Sequence, residues 1–158
     1  MLLLDLDNFK GINDRFGHSA GDLVLKEFAR RLRKATRVSD VPVRLGGDEF
    51  LVILPECPPE KAGVVLTRLT DFEIETGEDR IPVSSSRGWA RYELAYTAEE
   101  LIKRADKALY ANKAARFRIR LDSRTGVFLG SGGNPVAPRI LGFVHRAVCV
   151  RSDGLNRL

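Results

Sequence analysis

No apolar run in these 158 residues approaches the length a membrane-spanning helix needs, about 20 residues. The opening MLLLDLDNFK is not a secretion signal, since its apolar part is short and acids follow at once. Cysteine is scarce. Cys57 and Cys149 match no metal or redox spacing and imply no disulfide framework, so a reducing cytoplasm is the expected setting. Histidine is limited to His18 and His145. His18, in FGHSAGD, reads as a packing or turn-capping residue, and His145 has no acidic residue nearby to work with. Strong charge of one sign is missing too. A net charge of +5, from 26 basic and 21 acidic residues, suits a small anionic partner such as a nucleotide. With aromatics at 8%, stacking platforms are too sparse for a nucleic-acid channel, and no nucleic-acid partner is expected. There is no internal repeat and no heptad run.

What remains is an ordinary globular chain, 44% apolar and 30% charged, of a length that fits one domain. Met1–Leu6 reads as a buried strand. Asn8–Phe16 fits a short helix. Gly21–Thr36 fits a longer one, with Leu25, Phe28, Ala29 and Leu32 on one face. Pro42–Leu45 and Glu49–Leu54 read as a hairpin around GGD. Pro58-Pro59 opens a helix faced by Ala62, Val65, Leu66 and Leu69. Ile81–Tyr92 is strand-like, though Ser84–Ser86 weaken the pattern. Thr97-Ala-Glu-Glu100 is a capping box that starts a helix through about Ala115, with Leu101, Ala105, Ala108 and Leu109 inward. Phe117–Leu121 alternates as an edge strand does. The first six elements follow the split β-α-β-β-α-β plan, an α+β fold with a mostly antiparallel sheet and helices packed on it. From Asp122 onward the chain is rich in Gly, Pro and Ser and reads as linker, with ILGFVHRAVCV as one more strand.

Two acidic sites stand out. Asp5 and Asp7 share a strand face, because side chains alternate. Asp48 and Glu49 lie at the hairpin turn. The split plan makes these strands neighbours, so four carboxylates converge. Convergent carboxylates call for Mg²⁺ or Mn²⁺, which bind through one or two of them plus substrate phosphates. Gly46 and Gly47 remove side chains and let a base or phosphate approach the backbone.

RLGGDEF, Arg44 to Phe50, resembles the signature of the GGDEF family, the diguanylate cyclases. DLDNFKGINDRFGHSAGD, from Asp5 to Asp22, and LIKRADKALYANKA, from Leu101 to Ala114, are similar to that family's other diagnostic stretches. The similarity runs from about Leu2 to Arg118. It implies a palm-like nucleotidyl cyclase fold, related to the ferredoxin-like plan, over residues 1–121, with 122–158 an unassigned extension. It implies synthesis of cyclic di-GMP from two GTP with two metal ions per site, in an antiparallel homodimer. Asp5, the Leu6 carbonyl, Asp48 and Glu49 would then hold the metals, with Asp48 and Glu49 catalytic and Glu49 also helping to deprotonate the 3′-hydroxyl. Asn13 and Asp22 would read guanine, whose donor-rich edge suits an amide and a carboxylate. Gly46 and Gly47 would make room for the nucleotide. Phe9 and Lys10 would lie beside the phosphates, and Lys103 with Lys107 would neutralise the triphosphate. Arg37 and Asp40 have the RxxD form of the family's product-inhibition site, with Arg68 a second contact. An Arg fork matches guanine O6 and N7.

The chain also departs from the family. It starts at the first strand, where relatives have a preceding DxLTGLxNRR-like segment and helix, so an upstream part is expected. A sensor module upstream is likewise expected. Arg87 stands where the family has an apolar residue, which is costly if inward and unpaired. AARFRIR replaces the family's Gly-Arg-Asn, and the tail resembles nothing in the family. Two rival readings follow: a catalytically silent cyclic di-GMP receptor acting through Arg37 and Asp40, and an inactive truncated fragment.

Overall fold

β1 (Leu2–Leu6) is the spine of the molecule. Leu2, Leu3, Leu4 and Leu6 are all buried, as a strand covered on both faces requires. The protein is represented by a computed structural model, which describes residues 1–69 and 71–122. In it β1 has two antiparallel neighbours. β3 (Glu49–Ile53) pairs from Leu2↔Val52 to Asp5↔Glu49, and β6 (Ser85–Trp89) pairs from Leu2↔Trp89 to Leu6↔Ser85. β2 (Val41–Gly46) pairs outside β3, giving the order β2-β3-β1-β6. This is the antiparallel sheet of the split plan, as expected.

Alternation along β1 divides the core. Leu2, Leu4 and Leu6 pack with α2 (His18–Ala35) through Val24, Leu25, Phe28 and Leu32. Phe28 and Phe50 meet there at 4.8 Å between ring centroids. Leu3 faces the other way, into a cluster with Leu51, Leu101, Ile102, Ala105 and Leu109. The last four belong to α4 (Ala98–Asp122). Burying one such leucine is worth roughly 1.5–3 kcal/mol. Asp5 takes the next position on the α4 side, where the apolar layer ends.

Local rules explain the element ends. α4 begins at the capping box: the Thr97 N–H donates to Glu100 Oε2 at 2.8 Å, and the Glu100 N–H to Thr97 Oγ1 at 3.2 Å. α1 (Phe9–Phe16) stops at Gly17, where φ is 80°, and α2 re-enters helix at His18, three residues before the expected start. α3 (Pro59–Arg68) has proline in its first turn.

Two expectations fail. Ile81–Tyr92 is not one strand. Phe72–Thr76 forms β4 and Asp79–Val83 forms β5, a separate hairpin turned by Gly77, and Ser84 breaks the chain before β6. The alternation of FEIET carries that signal. Phe117–Leu121 is not a strand either, because α4 continues through Asp122. No Gly or Pro interrupts that stretch, and Arg and Leu favour helix. The expected strand ILGFVHRAVCV, with all of residues 123–158, lies outside the described residues. Among the described residues no helix is long and apolar enough to cross a membrane.

Candidate functional site

The end of β1 and the β2–β3 turn form one corner. Asp5 and Glu49 are direct cross-strand partners, so their side chains lie on one face a few ångströms apart. The Leu6 N–H donates to the Asp48 carbonyl at 3.1 Å, which ties the strand end to the turn. Gly47 forms that turn at φ 54°, a left-handed conformation that a side chain resists. Arg44 braces it from below: its Nε and Nη2 donate to the Gly47 carbonyl at 3.0 and 2.8 Å. Sequence reasoning gave Arg44 no role.

The acids here are under electrostatic load. Burial pushes the Asp5 carboxyl above its ordinary value; Lys113 pulls it back, and Asp48 and Asp7 add to the rise. Glu49 is also raised, by burial first and then by Asp5 and Asp48. Lys113 reaches in from α4, with Nζ 2.8 Å from Asp5 Oδ2. Asp7 does not join this group as expected. Its carboxylate turns to β6 and α4, accepting from Ser84 Oγ at 2.8 Å and Ser86 Oγ at 2.6 Å and pairing with Arg116 Nε at 3.3 Å.

On the other side of the corner, α1 and α2 pack closely. A Cβ at Gly21 would lie 1.9 Å from Asn13 Oδ1, so glycine is what lets the Asn13 amide rest there. Asp22 follows at once and is exposed. Asn13 and Asp22 thus stand at one helix–helix junction. Phe9 is half-buried against the core and Lys10 is exposed, both in the first turn of α1 after β1.

Lys103 and Lys107 are exposed on α4, with Lys113 the lysine turned to the acids. The signal for Lys113 was in the sequence. It continues the inward stripe Ala105–Leu109 by one more i+4 step, whereas 103 and 107 lie off that stripe.

At the far end of α2, Asp40 is buried and accepts the Arg37 N–H on Oδ2 at 2.7 Å. The side chain of Asp40 therefore shapes the turn that presents Arg37, which is exposed. Arg68 donates to the Ala35 carbonyl at 3.5 Å, which brings it to the same helix end. Arg87 is half-buried but not abandoned: it meets Asp71 at 4.0 Å and donates to the Leu69 carbonyl.

Asp5, Asp48 and Glu49 offer hard oxygen donors and more negative charge than Lys113 alone offsets, which fits Mg²⁺ or Mn²⁺. Among the described residues, no three His, Cys, Asp or Glu side chains are already gathered around one metal position.

Comparison with known proteins bears on this corner. A family profile described as diguanylate cyclase, GGDEF domain, matches residues 1–118. Response regulator PleD of Caulobacter vibrioides is 41% identical over 121 residues, covering 72% of this chain and 27% of that protein. Diguanylate cyclase DgcS of Shewanella oneidensis is 40% identical over 116 residues, covering 73% of this chain and 39% of its own length. The chain therefore spans well under half of either relative. Among solved structures, the GGDEF domain of DgcB from Caulobacter crescentus, in complex with c-di-GMP, aligns with a TM-score of 0.67 at 27% identity. It covers 72% of this chain and 71% of that one.

Proposed function

The chain belongs to the GGDEF diguanylate cyclase family, and from that premise we propose that it condenses two GTP into cyclic di-GMP and two pyrophosphates. One observation carries the reading: Asp5 and Glu49 face each other across β1 and β3, next to Asp48, with both proton affinities raised by burial first and then by Asp48, and that of Glu49 by Asp5 as well. Such a concentration of charge costs stability and suits cations carried in with a triphosphate.

Asp5, Asp48, Glu49 and the Leu6 carbonyl would hold two Mg²⁺ or Mn²⁺ ions. Bound there, the metal lowers the pKa of the attacking hydroxyl and offsets charge on the phosphates. The remaining work belongs to the chain. Glu49 takes up the 3′-hydroxyl proton. Asn13 and Asp22 orient guanine, and Gly46 and Gly47 leave the nucleotide room. The start of α1, at Phe9 and Lys10, offers backbone amides and a cation to the phosphates. Lys113, already beside Asp5, adds a cation at the acids, and Lys103 and Lys107 add positive charge further along α4. Each 3′-oxygen attacks the α-phosphorus of the other GTP, a P–O bond to pyrophosphate breaks, and the hydroxyl proton leaves through Glu49. One subunit cannot complete this, since each GTP is both nucleophile and electrophile. A symmetric antiparallel homodimer is therefore part of the mechanism.

We assign residues 1–121 to the catalytic domain, with 122–158 an extension. GTP as substrate favours the cytoplasm. Arg37 and Arg68, at one end of α2, would bind the product as an inhibitor, with Asp40 holding the Arg37 turn. That geometry also sustains a second reading, a silent cyclic di-GMP receptor.

The test is to incubate the purified chain with GTP and Mg²⁺ beside Glu49→Gln and to separate the products by chromatography. Cyclic di-GMP from the wild type alone supports the cyclase. No product from either, with cyclic di-GMP binding that Arg37→Ala abolishes, supports the receptor. Neither product nor binding leaves an inactive fragment.

A further inference from the structure

Asp7 has no part in the chemistry above, yet three side chains hold it. Ser84 and Ser86 are buried, at 8% and 0% exposure. Buried hydroxyls are costly unless bonded, and both donate to the Asp7 carboxylate. The Asp7 N–H also donates to the Ser84 carbonyl at 2.9 Å. Arg116 completes the clamp and is itself braced, donating to Asp71 Oδ2 at 2.8 Å beyond the end of α3.

The position of this clamp matters. Asp7 follows Leu6 and precedes Asn8, which takes a left-handed φ of 56° and turns the chain into α1. Asparagine is one of the few residues besides glycine that adopts this conformation, and it persists where its surroundings hold it. The Asn8 side chain is folded over Gly11, where a Cβ would lie 2.5 Å from Asn8 Oδ1. Along α4, Lys113 pairs with Asp5 and Arg116 with Asp7. Two strand residues advance about 6.6 Å and three helix residues about 4.5 Å, a difference that long side chains absorb. Two ion pairs thus fasten α4 to the end of β1.

We infer that Asp7 is a positioning residue, which with Ser84, Ser86 and Arg116 fixes the turn between the Asp5 carboxylate of β1 and the first amides of α1. It touches neither metal nor nucleotide. It sets the distance between the groups that do, and in this the inference rests on the proposed cyclase reading.

Two readouts on the full chain test it. Without nucleotide, Asp7→Asn should speed hydrogen exchange at amides 8–12 by about tenfold or more, with 24–32 unchanged. Ser86→Ala, which leaves every backbone bond in place, should show the same pattern more weakly and stands in if Asp7→Asn does not fold. With GTP and Mg²⁺, Asp7→Asn should lower kcat by about tenfold to a hundredfold, while KM and the half-saturating Mg²⁺ concentration move by less than about threefold. Half-saturating Mg²⁺ that rises in step with the lost rate would make Asp7 a ligand and overturn the inference. So would unchanged exchange at 8–12. If the wild type makes no cyclic di-GMP but the exchange pattern holds, the cyclase reading fails and the anchored turn stands.

Discussion

Asp5 and Asp7 stand two residues apart on the same strand end, and their surroundings are opposite. On the β3 side, Asp5 meets Glu49 and Asp48, and one lysine answers several carboxylates. On the β6 side, Asp7 meets two serines and an arginine, and its bonds are made within the protein. The first corner keeps unspent charge, which is what a cation and a triphosphate need. The second spends its charge on geometry. On the proposed cyclase reading, one strand carries both the reacting end and the brace that positions it.

The sharpest way to break this contrast is Glu49→Gln. Loss of an electrostatic group at a reacting centre costs about 10²–10³ in rate, and product formation should fall at least that far. Stability should move the other way. Glu49 has its carboxyl raised in the folded state, so the folded chain holds that proton more tightly than the unfolded one. Its contribution is full below the unfolded pKa and is lost as pH rises through the higher folded value. At neutral pH the glutamine variant should melt a degree or two higher than wild type, an effect kept small by solvent screening. Near pH 4 the two melting curves should coincide. A variant that is less stable at every pH would mean that the corner carries no strain.

Next in size is the cation on α4. Lys113→Ala should cost about tenfold to a hundredfold in cyclic di-GMP formation, because it removes the charge beside Asp5. Lys107→Ala, on the outer face, should cost less than about threefold. Equal losses would shift the phosphate path along the helix. Gly21→Ala separates binding from stability in a similar way. Alanine gains about 1 kcal/mol of helix propensity over glycine, but its Cβ would lie 1.9 Å from Asn13 Oδ1. Affinity for GTP should fall by about tenfold as the amide is displaced, with melting changed little. Loss of stability without loss of affinity would remove Asn13 from guanine recognition.

Much of this arrangement was legible in the sequence, for reasons that differ by element. β1, the GGD turn and the α2 stripe follow from period and turn chemistry, and they bring Asp5 to Glu49. The capping box located the start of α4 to the residue. β4 was missed because FEIET is short and half-buried on one face, with no long apolar run to mark it. The end of α4 was misjudged because Phe117–Leu121 alternates, and alternation over five residues cannot outweigh an uninterrupted helix. Arg116 was invisible for a different reason. Its partners lie at positions 7 and 71, and only the packed fold brings those together.

The smallest effect comes from the two residues of RxxD, and it separates shape from recognition. Asp40 is buried and accepts the Arg37 N–H, while Arg37 itself is exposed. Asp40→Ala should therefore destabilise the chain by about 1 kcal/mol, the usual net contribution of one such hydrogen bond. Arg37→Ala should change stability by less than about 0.5 kcal/mol. Both should weaken inhibition by cyclic di-GMP, the first by letting the turn drift and the second by removing the fork. Inhibition that survives Arg37→Ala and fails in Asp40→Ala would mean that the turn, and not the guanidinium, makes the contact.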